Sequence, residues 1–527
     1  MDQYTDTRGV VQIDDLTTRE FQIDSGVLQG SILGPVLFNV FINSLILELE
    51  HSGVGGVSLR SGRRLNVIAY ADDLVLISEN PADLQKLISI CESWSRCNGL
   101  DFSPDKSKVL VFHPTSQSKR SKFVLNDQPL ESVTSFKYLG ITLDATGAVG
   151  PGLCYRTFFA SSLSRAEKRL GVIQLLSARK DGLRPTTAVR LYKLLVRPIL
   201  EFGAQIIPFA STQLTKFEQF QCKSLRSLLG LAKSVKAETV RLIAGVEPVE
   251  CRFASLKLAY FHRLRTSSKQ ILKQSLADHI RHCTSTHDVT LEERNFYNSG
   301  FGSILLTICR KYNLAHEFRI SSDDSRPKYS YWTKKHLREF HFARDCMAFD
   351  NTQQGALFKS VALPVLKLSK PYGGVAINPV IFEGVDRKMR FAYFQALCGT
   401  LISEHHCPAF KRRRSSSCPY CPSESRSLDH FIFDCPVFDS SRVSYFKSIK
   451  DSWQKMSLPN EPPLRSLPFL FGSAPSYPKL PKNDQRDLLH GVVRSTSRFL
   501  AQISSKLNDP DEPVQPGPAQ RPPSGAT

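Results

Sequence analysis

The sequence predicts an α+β protein in which short strands and helices precede a mostly α-helical region. Residues 9–24 alternate apolar and polar side chains, which is typical of a β-hairpin. Farther along the chain, apolar residues recur at helical spacing in successive segments, 160–177, 186–201, 213–231 and 253–265. Glycines and a proline cluster at 147–152, so we expect a domain boundary near residue 150.

The composition favours a nucleic-acid partner and argues against secretion. A chain of 527 residues predicts roughly two to four domains. The net charge of +20 favours a polyanion, although a cationic protein without a specific partner stays an alternative. Thirteen cysteines, an odd number, and an N-terminus without signal-peptide features indicate a reducing, intracellular compartment. We expect no membrane span, because the longest apolar stretches are short and interrupted by polar residues.

Within the first region, the apolar pattern predicts specific elements. Pro35 suits the first turn of a helix that continues to Leu49. Residues 65–78 predict two strands that meet at an acidic turn, and residues 82–97 have helical spacing. Further strands are expected at 108–112 and 135–143.

The acidic turn carries the most informative motif, IAYADDLVLIS at 68–78. Asp72 and Asp73 are adjacent carboxylates between apolar strands, an arrangement that is costly unless a cation neutralises it. A pair of Mg²⁺ ions suits carboxylate oxygens and would supply two-metal chemistry. The alternative interpretation of the motif alone is an ordinary exposed acidic turn.

Three further segments accompany this motif. They are SGVLQGSILGPVLFNVFINSL at 25–45, NGLDFSPDKSKVLVF at 98–112 and SFKYLGITLD at 135–144. Together and in this order, the four segments resemble successive motifs of the reverse transcriptase palm of non-LTR, LINE-like retrotransposons. The resemblance covers residues 8–145 and continues more loosely to residue 265. It implies a partial polymerase palm, an antiparallel sheet with helices, followed by a thumb-like helical region and a small zinc-binding module.

The resemblance implies roles for individual residues. Asp72 and Asp73 would bind Mg²⁺, and Lys106 would lie near the leaving pyrophosphate. The remaining expected contacts involve the RNA template, the DNA primer and the incoming dNTP. They fall on Tyr70 and Ala71 in the acidic motif, on Gln29, Gly30 and Ser31 before the first helix, and on Phe136, Tyr138, Leu139 and Gly140 in a primer-gripping hairpin.

One departure from the family pattern concerns the first catalytic carboxylate. In the family it lies on an earlier strand, whereas only residues 1–24 precede the glycine-rich segment here. Asp14 and Asp15 lie in that stretch, but we expect them in a turn between hairpin arms and reject them as substitutes. We therefore expect an N-terminally truncated palm that is inactive, or nearly so, alone. Leu28 and Ser103, where the family commonly has proline and asparagine, are mild departures.

The sequence predicts a division into six segments. Basic positions on the helices of 155–265, for example Arg190 and Lys193, support a nucleic-acid-binding thumb. The expected segments are the partial palm at 1–150, the thumb-like region at 151–265, an unassigned connector at 266–387, a zinc module at 388–445, a helical segment at 446–507 and a proline-rich disordered tail at 508–527.

A cysteine-rich motif predicts the zinc module. Cys418, Cys421, His430 and Cys435 form the pattern C-x2-C-x8-H-x4-C, a ligand set that fills a structural Zn²⁺ site. His405, His406 and Cys407 are rival ligands. The basic run Lys411, Arg412, Arg413, Arg414 precedes the motif, and zinc knuckles beside basic runs commonly contact single-stranded RNA.

Taken together, these patterns favour an RNA-directed DNA polymerase that uses two-metal nucleotidyl transfer. Two alternatives stay open: a catalytically dead nucleic-acid-binding remnant that uses the thumb and the zinc module, and a transposon remnant that barely folds. Nuclear localisation is implied by the resemblance. Protein partners cannot be inferred from the sequence.

Overall fold

The structure is a computed structural model that describes the chain in separate segments. These are residues 8–23, 26–27, 30–59, 62, 64–112, 121–147, 150–178, 182–285, 301–314, 326–350, 356–361, 371–372, 385–398, 401, 418–421, 427–456, 458, 461–472 and 482–508. The chain divides into two compact units, of which the first comprises residues 1–158 and 269–288 and the second the remainder. The six predicted segment limits stay predictions. None of the helices in these segments is long and apolar enough to cross a membrane.

The first unit combines short strands with helices, and the predicted elements are confirmed. Its elements are β1 Arg8–Gly9, β2 Gln12–Ile13, β3 Leu16–Thr17, β4 Phe21–Gln22, α1 Gly34–His51, β5 Val57–Ser58, β6 Arg64–Leu65, β7 Val67–Tyr70, β8 Asp73–Leu76, α2 Pro81–Asn98, β9 Lys108–Leu110, β10 Val124–Leu125, β11 Gln128–Pro129, β12 Glu131–Val133, β13 Ser135–Tyr138, β14 Ile141–Gly147 and β15 Gly150–Cys154.

These strands form small, mostly antiparallel sheets, which confirms the predicted α+β class with antiparallel strand pairing. Most ladders are antiparallel hairpins, and β13, β14 and β15 form a three-stranded antiparallel sheet. The exception is β9, which pairs with β12 in parallel. A parallel pair requires a crossover, and here the chain between β9 and β12 includes the β10–β11 hairpin.

The core of the first unit lies between α1, α2 and strand β7. Leu45, Leu49, Leu87 and Trp94 are buried together there. The Trp94 indole Nε1 donates a hydrogen bond to Ser44 Oγ at 3.0 Å, so the one polar atom of this large buried ring is satisfied. The two helices therefore give the β7–β8 hairpin a rigid support.

The second unit is helical, as predicted. Its elements begin with α3 Arg156–Ala178, which starts in the first unit, and continue with α4 Pro185–Leu191, a π-helical turn at Tyr192–Val196, α5 Arg197–Glu201, α6 Ser211–Leu229, α7 Ala237–Ala244, α8 Val249–Arg265, α10 Phe301–Lys311, α11 Arg326–Asp350, α12 Ala356–Val361, α13 Arg387–Leu397, α14 Asp439–Lys455, α15 Leu467–Leu470 and α16 Lys482–Leu507. Helix α9, Gln270–Ser285, belongs to the first unit.

Helix α11, of 25 residues, is the longest described helix in the connector that the sequence left unassigned. It packs along α8 and α7. Arg241 of α7 and Asp345 of α11 form a buried bidentate ion pair, with Nε–Oδ2 at 2.8 Å and Nη2–Oδ1 at 2.6 Å. The Tyr372 hydroxyl donates to the same carboxylate at 2.6 Å, so its buried charge is well satisfied. The predicted disordered tail lies outside the described residues from 509 onward.

Candidate active site and candidate metal centre

The acidic motif forms the tip of the β7–β8 hairpin. Tyr70 of β7 pairs with Asp73 of β8, and Ala71 and Asp72 form the two-residue turn between them. Ala71 has a φ of +51°, a left-handed conformation that costs a non-glycine residue free energy and tends to occur at functional sites. Asp72 and Asp73 are both exposed. Two carboxylates are thus presented to solvent on a short rigid turn.

A buried asparagine fixes the base of this hairpin. Asn66 precedes β7, and its side-chain amide donates hydrogen bonds to the carbonyls of Leu49 at 2.6 Å and Val54 at 3.1 Å. The backbone amide of Ile77, the residue that follows β8, donates to the Asn66 carbonyl at 2.8 Å. The hairpin is therefore anchored to the end of α1. Sequence reasoning missed Asn66, although a polar residue inside the apolar segment 65–70 was an available signal.

A second hairpin, β13–β14, carries the predicted primer-gripping residues. Leu139 and Gly140 connect its strands with φ angles of +46° and +83°, the two-residue pattern of a type I′ turn. Burial raises the pKa of Tyr138, and the negative charge of Asp73 raises it further. The Tyr138 hydroxyl is buried and has no hydrogen-bond partner among the described residues. The charge of Asp73 therefore acts on the Tyr138 hydroxyl.

The other predicted contact residues of the first unit are partly described. Gly30 is exposed with a φ of +84°, and Ser31 Oγ accepts a hydrogen bond from the Leu33 amide at 3.2 Å. Phe136 lies exposed on β13. Lys106 is exposed in the turn before β9 and forms no ion pair within the described segments. Gln29 lies outside the described residues, and all of these roles stay predictions.

Asp14 and Asp15 occupy the turn of the β2–β3 hairpin, which confirms the expectation that they are turn residues. Across the described part of the chain, only one group of three or more potential metal ligands comes together, and it contains neither this pair nor Asp72 and Asp73. Among the described residues, no third His, Cys, Asp or Glu side chain joins Asp72 and Asp73 at the tip of the β7–β8 hairpin.

The group that does come together is Cys418, Cys421, His430 and Cys435, whose ligand atoms all lie within 4.8 Å of one another. Cys418 Sγ and Cys435 Sγ are 3.9 Å apart, and Cys421 Sγ lies 3.3 Å from His430 Nε2. Tetrahedral zinc with Zn–S bonds of 2.3 Å places sulfurs about 3.8 Å apart. The four residues therefore fit Zn²⁺ in both chemistry and spacing.

Hydrogen bonds connect the ligand residues of this centre. The hydrogen bond between Cys418 and Cys435 lowers the pKa of the Cys418 thiol and raises that of Cys435, and the Tyr420 amide donates to Cys418 Sγ at 3.5 Å. Arg442 of α14 donates to the carbonyls of Ile432 at 2.8 Å and Cys435 at 2.6 Å. Arg442 thus braces the segment that carries His430 and Cys435. Sequence reasoning missed Arg442 because it lies outside the ligand spacing.

Two predicted features beside this centre, the basic run Lys411–Arg414 and the rival ligands His405, His406 and Cys407, lie outside the described residues. Helix α13 precedes the motif in the chain.

Comparison with known proteins identifies the first region. Residues 3–143 match the family described as "Reverse transcriptase (RNA-dependent DNA polymerase)". A retrovirus-related Pol polyprotein from the type-1 retrotransposable element R2 of Popillia japonica is 28% identical over 173 residues, 32% of this chain and 28% of that protein. An RNA-directed DNA polymerase from the mobile element jockey of Drosophila funebris is 24% identical over 260 residues, 48% of this chain and 27% of that protein.

A third relative agrees with these two. The Pol polyprotein from the type-2 retrotransposable element R2DM of Drosophila melanogaster is 31% identical over 147 residues, 26% of this chain and 13% of that protein. The matches span less than a third of the length of each relative. The acidic hairpin and the Tyr138 hairpin both lie within the matched region or at its edge. Residues 3–143 therefore match a reverse transcriptase domain, and the chain is similar to the RNA-directed DNA polymerases of non-LTR, LINE-like retrotransposons, as its four motifs predicted.

Proposed function

We propose that the β7–β8 hairpin is the nucleotidyl-transfer site of an RNA-directed DNA polymerase that copies an RNA template onto a DNA primer. The observation that carries this proposal is the exposed Asp72–Asp73 pair on a strained turn inside a reverse transcriptase domain. The left-handed conformation of Ala71 costs free energy, and the turn that contains it presents both carboxylates to solvent.

The carboxylates of Asp72 and Asp73 would hold Mg²⁺, since hard divalent cations prefer oxygen ligands. When bound, a metal pair stabilises the attacking and leaving oxygens of phosphoryl transfer. Lys106 would neutralise the leaving pyrophosphate, and Gly30, Ser31 and Gln29 would contact the template and dNTP. The hairpin that carries Phe136 and Tyr138 would hold the primer end beside Asp73.

We further propose that this chain alone incorporates few or no nucleotides. Octahedral Mg²⁺ is bound poorly by an underfilled set of ligands, and the described residues supply only two adjacent carboxylates at the hairpin. The segment that would complete the set is expected on a separate strand. Neutral Asn substitutions at Asp72 and Asp73 would then have little further effect, because the rate of nucleotide incorporation is already close to background.

Primer extension on an RNA template tests the proposed lack of activity directly, and it tests the site assignment if the chain incorporates nucleotides. The full chain is compared with the double variant Asp72→Asn/Asp73→Asn at saturating Mg²⁺ and dNTP, and the expected result is background incorporation for both. Robust incorporation that the double variant abolishes would support the polymerase site and contradict the incomplete ligand set. Robust incorporation that survives the double variant would contradict the assignment of the site itself.

A second candidate function is nucleic-acid binding without catalysis, and the Cys418–Cys435 centre favours it. A Cys3His set fills the zinc coordination shell, so the centre would be structural rather than catalytic. This candidate predicts salt-sensitive RNA affinity that falls in Cys418→Ser/Cys421→Ser, without incorporation. RNA affinity that is unchanged in that variant would contradict a role for the zinc module in binding.

We also infer nuclear localisation from the retrotransposon resemblance. Fluorescence microscopy of the tagged full chain tests this inference. Accumulation in the nucleus is expected, and exclusion from it would contradict the inference.

A further inference from the structure

Three arginines from three helices of the second unit share two carboxylates, Glu201 and Glu247. Arg252 of α8 holds Glu201 in a bidentate pair, with Nε–Oε1 at 2.8 Å and Nη2–Oε2 at 3.0 Å. Arg197 of α5 shares that carboxylate, with Nε–Oε1 at 3.0 Å, and reaches Glu247 at 3.6 Å. Arg338 of α11 approaches Glu247 from the other side, with Nη2–Oε2 at 3.9 Å.

Two lysines add charge that no carboxylate in the described segments neutralises directly. Lys193, in the π-helical turn, donates to the Gly245 carbonyl at 2.8 Å. Lys334 is exposed on α11, and no carboxylate of the described residues lies within 4.0 Å of its Nζ. We call Lys193, Arg197, Arg252, Lys334 and Arg338 the basic cluster.

The basic cluster is short of negative charge. Its five cations include the three arginines that share Glu201 and Glu247. Arg338 Nε is buried without a hydrogen-bond partner among the described residues. An uncompensated charge that is partly removed from water is unfavourable, so an external anion would stabilise this arrangement.

The pKa values of both lysines are lowered. Burial is the largest cause at Lys193; the charge of Glu247 opposes it, and the charges of Arg197 and Arg338 lower the pKa further. Burial also lowers the pKa of Lys334, followed by the charge of Arg252, which exceeds the opposing effect of Glu247 there. A bound anion would stabilise the charged form of both lysines.

The side chains around the cluster favour a phosphate on a nucleic acid. Tyr331 of α11 is 71% exposed and lies three residues before Lys334, so both occupy the same side of the helix. An exposed aromatic ring beside cations offers a stacking surface for an unpaired base, which an acidic protein segment does not need. Guanidinium groups such as that of Arg338 also match phosphate oxygens geometrically.

We infer that the basic cluster binds backbone phosphates of single-stranded RNA, and that Tyr331 stacks on a neighbouring base. The inference rests on the proposed function for its ligand and adds α11, from the unassigned connector, to the nucleic-acid surface. It needs no contact with the acidic hairpin. Its failure can therefore be separated from failure of the polymerase proposal.

Salt-dependent RNA binding by Lys334→Gln tests the inference, with Lys335→Gln as the matched control. Lys335 is exposed on the same helix but faces Glu339, with Nζ–Oε1 at 3.8 Å. Fluorescence anisotropy of the full chain with single-stranded RNA is measured across a range of salt concentrations. One lost phosphate contact should lower the slope of log K against log salt by about 0.7, which is about fivefold in affinity at 0.1 M salt. Lys335→Gln should leave the slope unchanged.

An unchanged slope in Lys334→Gln would overturn the inference, as would an equal change in both variants. Loss of RNA binding in Tyr331→Ala, at least about fivefold for single-stranded RNA and smaller for duplex, would support the stacking role. Polyglutamate serves as the rival ligand: if it competes as well as RNA, the cluster is a site for acidic protein segments and the inference fails. The outcome of primer extension does not depend on any of these results, and that assay tests the proposed function alone.

Discussion

The two candidate metal sites of this chain are built in opposite ways. The acidic hairpin presents Asp72 and Asp73 to solvent on a two-residue turn, whereas Cys418 and Cys435 are buried and close to two further ligands. A closed set of four soft ligands is typical of structural zinc, and an open carboxylate pair is typical of a site that exchanges substrate. We therefore propose a structural role for the Cys418–Cys435 centre and a catalytic role for the acidic hairpin.

The largest expected effect comes from removal of a zinc ligand. Cys435→Ser should reduce bound zinc from one equivalent to none and remove hydrogen-exchange protection across residues 427–456, because structural zinc contributes about 10 kcal/mol or more of binding free energy. The control is Cys309→Ser, a buried thiol of α10 outside the cluster. Metal analysis and hydrogen exchange measure both variants. If Cys435→Ser still bound one equivalent of zinc, Cys435 would not be a zinc ligand, and the centre would be a set of ordinary reduced cysteines.

A smaller effect is expected from the side chain that braces the centre. Arg442→Ala removes the hydrogen bonds to the carbonyls of Ile432 and Cys435, so zinc affinity should fall about tenfold or more. Competition with a chelating dye measures the affinity. Arg465→Ala is the control, because Arg465 is exposed and pairs with Asp434 only at 3.5 Å. Equal losses in the two variants would show that Arg442 has no special role.

At the acidic hairpin, relief of backbone strain should stabilise the turn. Ala71→Gly removes the cost of a left-handed alanine and should raise the free energy of local opening by about 0.5 to 1 kcal/mol. Ala69→Gly, in strand β7, should lower it by a similar amount. Hydrogen exchange of the β7 amides measures both changes. A destabilised Ala71→Gly hairpin would mean that the turn is not strained.

The smallest expected effect concerns the pKa of Tyr138. Asp73→Asn removes a negative charge that opposes the phenolate, so this pKa should fall, although burial keeps it above the ordinary value for tyrosine. Asp72→Asn should change it less. Ultraviolet titration against the matching Tyr138→Phe background isolates the signal. If Asp72→Asn changes the pKa of Tyr138 more than Asp73→Asn does, the Tyr138 hydroxyl faces the turn rather than the first residue of β8.

The sequence predicted those parts of the molecule that have a local signal. Periodicity located α1, α2 and both hairpins, and ligand spacing located the Cys418–Cys435 centre. The contact between Arg241 and Asp345 could not be predicted, because the two residues are 104 positions apart and neither has a distinctive neighbourhood in the sequence.

The same limit applied to the connector and to the turn at Ala71. Helix α11 packs against α7 and α8, which are distant in the sequence. Because these long-range contacts stabilise the helix, the apolar periodicity of its own sequence was weak. The left-handed conformation of Ala71 runs against the local preference of alanine, and the surrounding hairpin imposes it. Sites that depend on long-range contacts or strain therefore need a structure.

The most direct test of the account is Mn²⁺ binding at the acidic hairpin, with Mn²⁺ as a paramagnetic substitute for Mg²⁺. Water-proton relaxation is measured for the full chain, for Asp72→Asn/Asp73→Asn and for Asp14→Asn/Asp15→Asn. The last pair is a matched control, since it is also an adjacent, exposed acidic pair at a hairpin turn. We expect weak Mn²⁺ binding that only the Asp72/Asp73 variant abolishes, with zinc content unchanged. Equal losses in both variants, or none in either, would contradict this expectation.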